Sequence, residues 1–113
     1  MNLRTPLVAA TLAALVACTP SVEDAPDQAA ATYCDRAVEC NWIASSEAED
    51  CLDNIEDVFQ AAWPTDNCGV IVREDWKQCL DQIDTIDCDS ALQGLELILP
   101  NEACGIQQVC DAE

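Results

Sequence analysis

The sequence of 113 residues contains no histidine, only three glycines, one methionine, and four cations: Arg4, Arg36, Arg73 and Lys77. Without histidine the chain lacks the commonest general base and the commonest metal ligand. Four cations against 22 acids leave a formal charge of -18. Such a chain cannot neutralise phosphates, which excludes nucleic acid as a partner and excludes electrostatic docking on anionic lipid. No G-x-S-x-G motif is present, and Ser45, Ser46 and Ser90 have no imidazole to activate them, so nucleophilic catalysis finds no support. No apolar run reaches the ~20 residues that a bilayer requires. A non-catalytic protein is the reading these absences favour.

What is present is half apolar composition and nine cysteines. The first permits a buried core and separates the chain from acidic disordered tails. The length allows one small domain. The cysteine density is that of a disulfide scaffold in an oxidising compartment. With no CxxC pair and no histidine, zinc binding and thioredoxin-like exchange are both disfavoured.

The start, MNLRTPLVAATLAALVAC, has one positive charge at Arg4 and an uncharged run from Leu7 to Ala17. That run suits a signal-peptide core. It ends in Leu15-Val16-Ala17-Cys18, which resembles the bacterial lipobox. The resemblance implies cleavage between Ala17 and Cys18 and acylation of Cys18, a palmitate-type lipid anchor. Cysteine parity agrees, because setting Cys18 aside leaves eight cysteines that can pair. Two or three acyl chains give stable attachment where a single chain does not. Thr19, in place of Asp, resembles the outer-membrane default of enterobacterial lipoproteins. Residues 1–17 thus read as a lipoprotein signal peptide and 18–28 as lipidated Cys18 with an acidic, Pro-containing tether. Residues 29–113 read as a cysteine-rich helical domain.

Helical periodicity dominates that domain. Ala48, Cys51, Leu52, Ile55, Val58, Phe59, Ala62 and Trp63 form one amphipathic stripe. Ser46 and Glu49 have capping-box spacing at its start, and Pro64 ends it. Val72, Trp76, Cys79, Leu80 and Ile83 form a second stripe within 70–83, and a weaker one runs through 28–42. Ser90 and Gln93 have capping-box spacing before Ala91–Leu99, and a short turn is expected through Cys110. No segment alternates with period two. The expected fold is all-α, a disulfide-stapled bundle of four or five short helices.

The disulfide cysteines are Cys34, Cys40, Cys51, Cys68, Cys79, Cys88, Cys104 and Cys110. Eight cysteines allow 105 connectivities. On a continuous helix Cys34 and Cys40 stand about 9 Å apart, beyond the reach of a bridge. The same holds for Cys104 and Cys110. An antiparallel hairpin favours Cys40–Cys51, and Cys79–Cys88 is the second choice. The lipobox, the acidic tether and the Tyr33-Cys34 to Cys40 opening together resemble small cysteine-rich lipoproteins of Gram-negative bacteria. That resemblance implies location and fold without an assigned activity.

Asp84, Asp87 and Asp89 crowd one segment and are the candidates for a calcium site, although no EF-hand glycine is present. Asp50, Asp53 and Asp57 share one helix face, as a solvated acidic surface does. Trp76 lies on an apolar stripe and is expected in the core. Trp42 and Trp63 flank helix ends, where core packing and an exposed recognition surface are both open. No cofactor is expected beyond the covalent lipid. The expected role is a membrane-anchored envelope module, binding or structural, with an unidentified protein partner. The alternative is a calcium binder using its acidic cluster.

Overall fold

The computed structural model describes residues 19–90 and 93–111. The expected signal peptide over 1–17 and the expected lipidation site Cys18 lie outside the described residues. Among those described, the order is helix α1 (Ala25–Glu39), a 3-10 turn (Ser45–Glu47), α2 (Ala48–Ala62), strand β1 (Val70–Ile71), α3 (Arg73–Asp84), α4 (Gln93–Glu96), α5 (Ile106–Val109) and strand β2 (Cys110–Asp111). The all-α expectation holds, with one small addition. β1 and β2 pair antiparallel, Val70 opposite Asp111 and Ile71 opposite Cys110. Two residues per strand are too few to leave an alternating pattern in sequence.

Helix α1 begins four residues before the expected domain boundary at residue 29. Pro26 stands at its first turn and Asp27 adds an acid there, a pre-set φ and a favourable dipole partner. Val22, Ala25 and Pro26 are buried. The expected tether over 18–28 is therefore corrected: the single large apolar residue of that stretch, Val22, finds core to pack on. Alanines 25, 29, 30 and 37 make a low buried face on α1, which lets a neighbouring helix approach closely.

The helix stops at Glu39, short of the expected residue 42, through a Schellman arrangement. Asn41 takes a left-handed φ of 62°, which asparagine tolerates. Its N–H bonds the Val38 carbonyl, and the Trp42 N–H bonds that of Ala37. This turn throws Trp42 back over the end of α1.

α1 and α2 run antiparallel. Cys34 bridges Cys51 toward one end, with 6.0 Å between Cα atoms, while Pro26 shares a cleft with Gln60 and Trp63 at the other. This register overturns the expected Cys40–Cys51 bond. If Cys34 faces Cys51, Cys40 lies six residues onward, at the C-cap of α1. The segment opposite it is the 3-10 turn, not α2. The turn is also capped two residues before expectation: Glu47, not Glu49, reaches back to accept the Ala44 N–H at 2.8 Å.

The core gathers where α1, α2 and α3 meet. Phe59 and Trp63 pack with their rings tilted by 33° at 4.9 Å, and Trp63 meets Trp76 edge-on at 5.6 Å. Edge contact at this spacing suits the ring quadrupoles. Ile83, Ile86, Val109 and the Cys79–Cys104 bridge complete the cluster, all at most 1% exposed. Trp63 is buried and donates its indole N–H to the Cys104 carbonyl at 2.8 Å, so its polar atom is satisfied.

Three further bridges close the fold: Cys40–Cys88, Cys68–Cys110 and Cys79–Cys104. Cys79–Cys88 is thereby corrected as well. Cys79 faces inward from α3 with 0% exposure, while Cys88 is exposed in the loop beyond the helix. The excluded pairs, Cys34–Cys40 and Cys104–Cys110, do not form.

Of the helix expected over Ala91–Leu99, Ala91 and Leu92 lie outside the described residues, α4 spans Gln93–Glu96, and the helix does not continue through Leu99. Gly94 weakens helix formation there. Backbone turns take over afterwards, with Asn101 at a φ of 74°.

Candidate functional site

The aspartates proposed from sequence are not drawn together. Asp84, Asp87 and Asp89 are all exposed. An Asp87 carboxylate oxygen accepts the Asp89 N–H at 3.1 Å, a local turn of the kind aspartate makes within its own loop. Asp50, Asp53 and Asp57 are exposed along α2. Among the described residues, no group of three or more cysteine, aspartate or glutamate side chains is placed to hold a metal ion. A calcium site at Asp84, Asp87 and Asp89 therefore has no geometric support.

The tryptophans divide. Trp63 and Trp76 are core. Trp42 is half-buried, with its ring 6.0 Å from that of Tyr33 and its indole N–H donated to the Cys88 carbonyl at 2.7 Å. The Arg36 guanidinium reinforces the same junction. Its Nε and Nη2 both donate to the Ile86 carbonyl, at 2.9 and 2.8 Å, while Nη1 pairs with Glu39. The Cys40–Cys88 bridge lies between these two contacts in sequence, so three interactions fasten the loop over 86–88 to the end of α1. Burial holds the Tyr33 hydroxyl above its ordinary pKa, because desolvation disfavours the phenolate.

Two clefts lie beside the segment Val22–Glu23. One, of about 390 Å³, has Val22, Pro26, Trp63 and Pro64 as its apolar lining, with Glu23 and Asp66 among its polar residues. The other, of about 310 Å³, shares Val22 and Glu23 and extends to Val70 and Ile71. Neither is lined by a basic side chain. The polar lining includes carboxylates and hydroxyls, and Cys68 is locked in a bridge. Such a lining suits an apolar or positively charged group. Sequence reading placed Val22, Glu23 and Pro26 in a tether and missed these clefts. The helix-start signals Pro26 and Asp27 were the available clue.

Taken together, the chain is a small helical domain held by four disulfides around an aromatic core. It belongs to DUF6184, a family of unknown function, whose profile matches residues 34–112. That span begins at the first cysteine of the first bridge and takes in all four bridges. No curated protein and no solved structure matches the chain.

Proposed function

We propose that this protein is a lipid-anchored, non-catalytic module of the cell envelope that binds a partner or serves a structural role. The observation carrying the proposal is the pairing of cysteines. Cys34, Cys40, Cys51, Cys68, Cys79, Cys88, Cys104 and Cys110 pair among themselves, which leaves none for Cys18. An odd cysteine in an exported protein calls for a separate fate. The sequence Leu15-Val16-Ala17-Cys18 supplies one, lipidation. Among the described residues no helix is long and apolar enough to cross a membrane, so attachment would rest on the acyl chains. Thr19 directs the anchored protein to the outer membrane under the sorting rule that its position resembles.

Intact-mass analysis of the protein extracted from membranes tests this. The expected species begins at Cys18, carries two or three acyl chains and contains four disulfides. Cys18→Ser should accumulate as precursor or leave the detergent-extracted fraction, with the four bridges intact. A mature wild-type protein bearing an unmodified Cys18 thiol would refute the assignment.

A further inference from the structure

The two clefts beside Val22–Glu23 are surfaces that the fold leaves uncovered. Val70, one of the few exposed large apolar residues, is 48% exposed and lines the smaller cleft. Glu23 lines both clefts and Asp66 lines the larger. Both carboxylates are exposed, and neither has an ion-pair partner among the described residues. Apolar lining with unpaired carboxylates and no basic group is complementary to long cationic side chains, whose stems are apolar and whose heads are charged.

We propose that these clefts dock a basic segment of an envelope protein. Lysine or arginine stems lie on Pro64 and Val70, the more open apolar residues of the lining, and their charged heads meet Glu23 and Asp66. The proposal rests on the reading of the protein as an anchored binding module and names the partner's chemistry. Charge selects this occupant over the others. Every one of the 22 acids lies beyond residue 18, so anionic lipid headgroups are repelled. A second copy is equally acidic, and of its cations Arg36 is already held by Ile86 and Glu39. Position agrees as well. A single residue, Thr19, separates Cys18 from Pro20, which lines the smaller cleft, a span of at most about 7 Å. The clefts therefore sit at the anchored end of the domain, where a basic segment held near a membrane surface is within reach.

The test is fluorescence anisotropy of labelled hexalysine titrated with the full-length protein in detergent. Glu23→Gln/Asp66→Asn should weaken binding roughly threefold to thirtyfold, the range expected for two lost charge contacts. Val70→Ser should weaken it about threefold by removing apolar contact. Asp53→Asn/Asp57→Asn removes the same charge from α2 and should change binding less than about twofold. Equal loss from both double variants would assign binding to the general acidity of the surface and overturn the proposal. Concentration-dependent self-association abolished by Arg73→Gln/Lys77→Gln would give the clefts to a second copy, and would also overturn it. The hexalysine assay is independent of acylation, so its failure leaves the Cys18 result standing, and the converse holds.

Discussion

Two of the four bridges make opposite demands on the physics of disulfide stabilisation, and removing each in turn decides which effect dominates. Cys40–Cys88 closes a loop with a sequence separation of 48, and Cys79–Cys104 one of 25. With the remaining bridges intact the effective loops are shorter. Cys79 reaches Cys104 through Cys68–Cys110 in about 17 residues, and Cys40 reaches Cys88 through the other three in about 38. The chain-entropy relation then assigns about 3 kcal/mol to Cys79–Cys104 and about 4 kcal/mol to Cys40–Cys88. Burial reverses that order. Cys79 and Cys104 are both 0% exposed, and replacing each with alanine deletes a buried sulfur and leaves a cavity. At about 1–1.5 kcal/mol for each deletion, the total rises to about 5–6 kcal/mol. Cys88 is exposed and Cys40 half-buried, so their replacement adds little. Cys79→Ala/Cys104→Ala should therefore melt about 5–10 °C below Cys40→Ala/Cys88→Ala. Thermal unfolding followed by circular dichroism at matched concentration measures the difference. Equal midpoints, or a lower one for the Cys40–Cys88 variant, would refute the claim that packing outweighs loop length here.

Three further perturbations probe the junctions around this core. Gly105→Ala places a Cβ 2.6 Å from the Leu99 carbonyl oxygen, and because backbone must shift to admit it, unfolding in urea should show a loss of about 1–3 kcal/mol. An unchanged midpoint would mean that the turn after α4 yields freely. Arg36→Lys loses the paired donation to the Ile86 carbonyl, at a cost of about 1–2 kcal/mol, and hydrogen exchange should speed in the loop over 85–90 with no comparable change in α2. Tyr33 is the only tyrosine, so ultraviolet absorbance follows its ionisation alone, and the midpoint should lie above 10.0. With the folded pKa above the unfolded one, stability is retained below about pH 10 and declines as pH rises toward the folded value. Tyr33→Phe should flatten that part of the decline, and an identical decline in the variant would remove Tyr33 as its source.

The stripe from Ala48 to Trp63 determined α2 almost to the residue, since the observed helix is Ala48–Ala62. The stripe through Trp76, Cys79 and Ile83 likewise determined the buried face of α3. Amphipathic spacing is local information, and long helices carry many repeats of it. Asn41 and Pro26 carried local signals too, for the end and the start of α1, and give that helix its true limits. Cysteine parity and the ending LVAC were equally legible, because both are properties of the chain and need no contacts.

Which cysteine joins which could not be read in the same way. Every bridge depends on how distant segments pack, and for the helix-to-helix bridge a shift of six residues separates Cys34 from Cys40 as the partner of Cys51. The burial of Val22 and the clefts at Glu23 and Asp66 were also decided only in three dimensions. Val22 is one apolar residue in a polar stretch, and although Pro26 and Asp27 signal a helix start after it, no periodic pattern marks Val22 itself as core. It is buried because α1, the end of α2 and β1 converge beside it. The acidic aspartates show the converse. Their closeness in sequence imitates a cation site, and a helix end followed by an exposed turn spreads them into solvent instead. Local periodicity fixes the helices, since each turn repeats its own evidence. Pairing and cavities belong to the packing, where the energy lies in contacts between residues tens of positions apart.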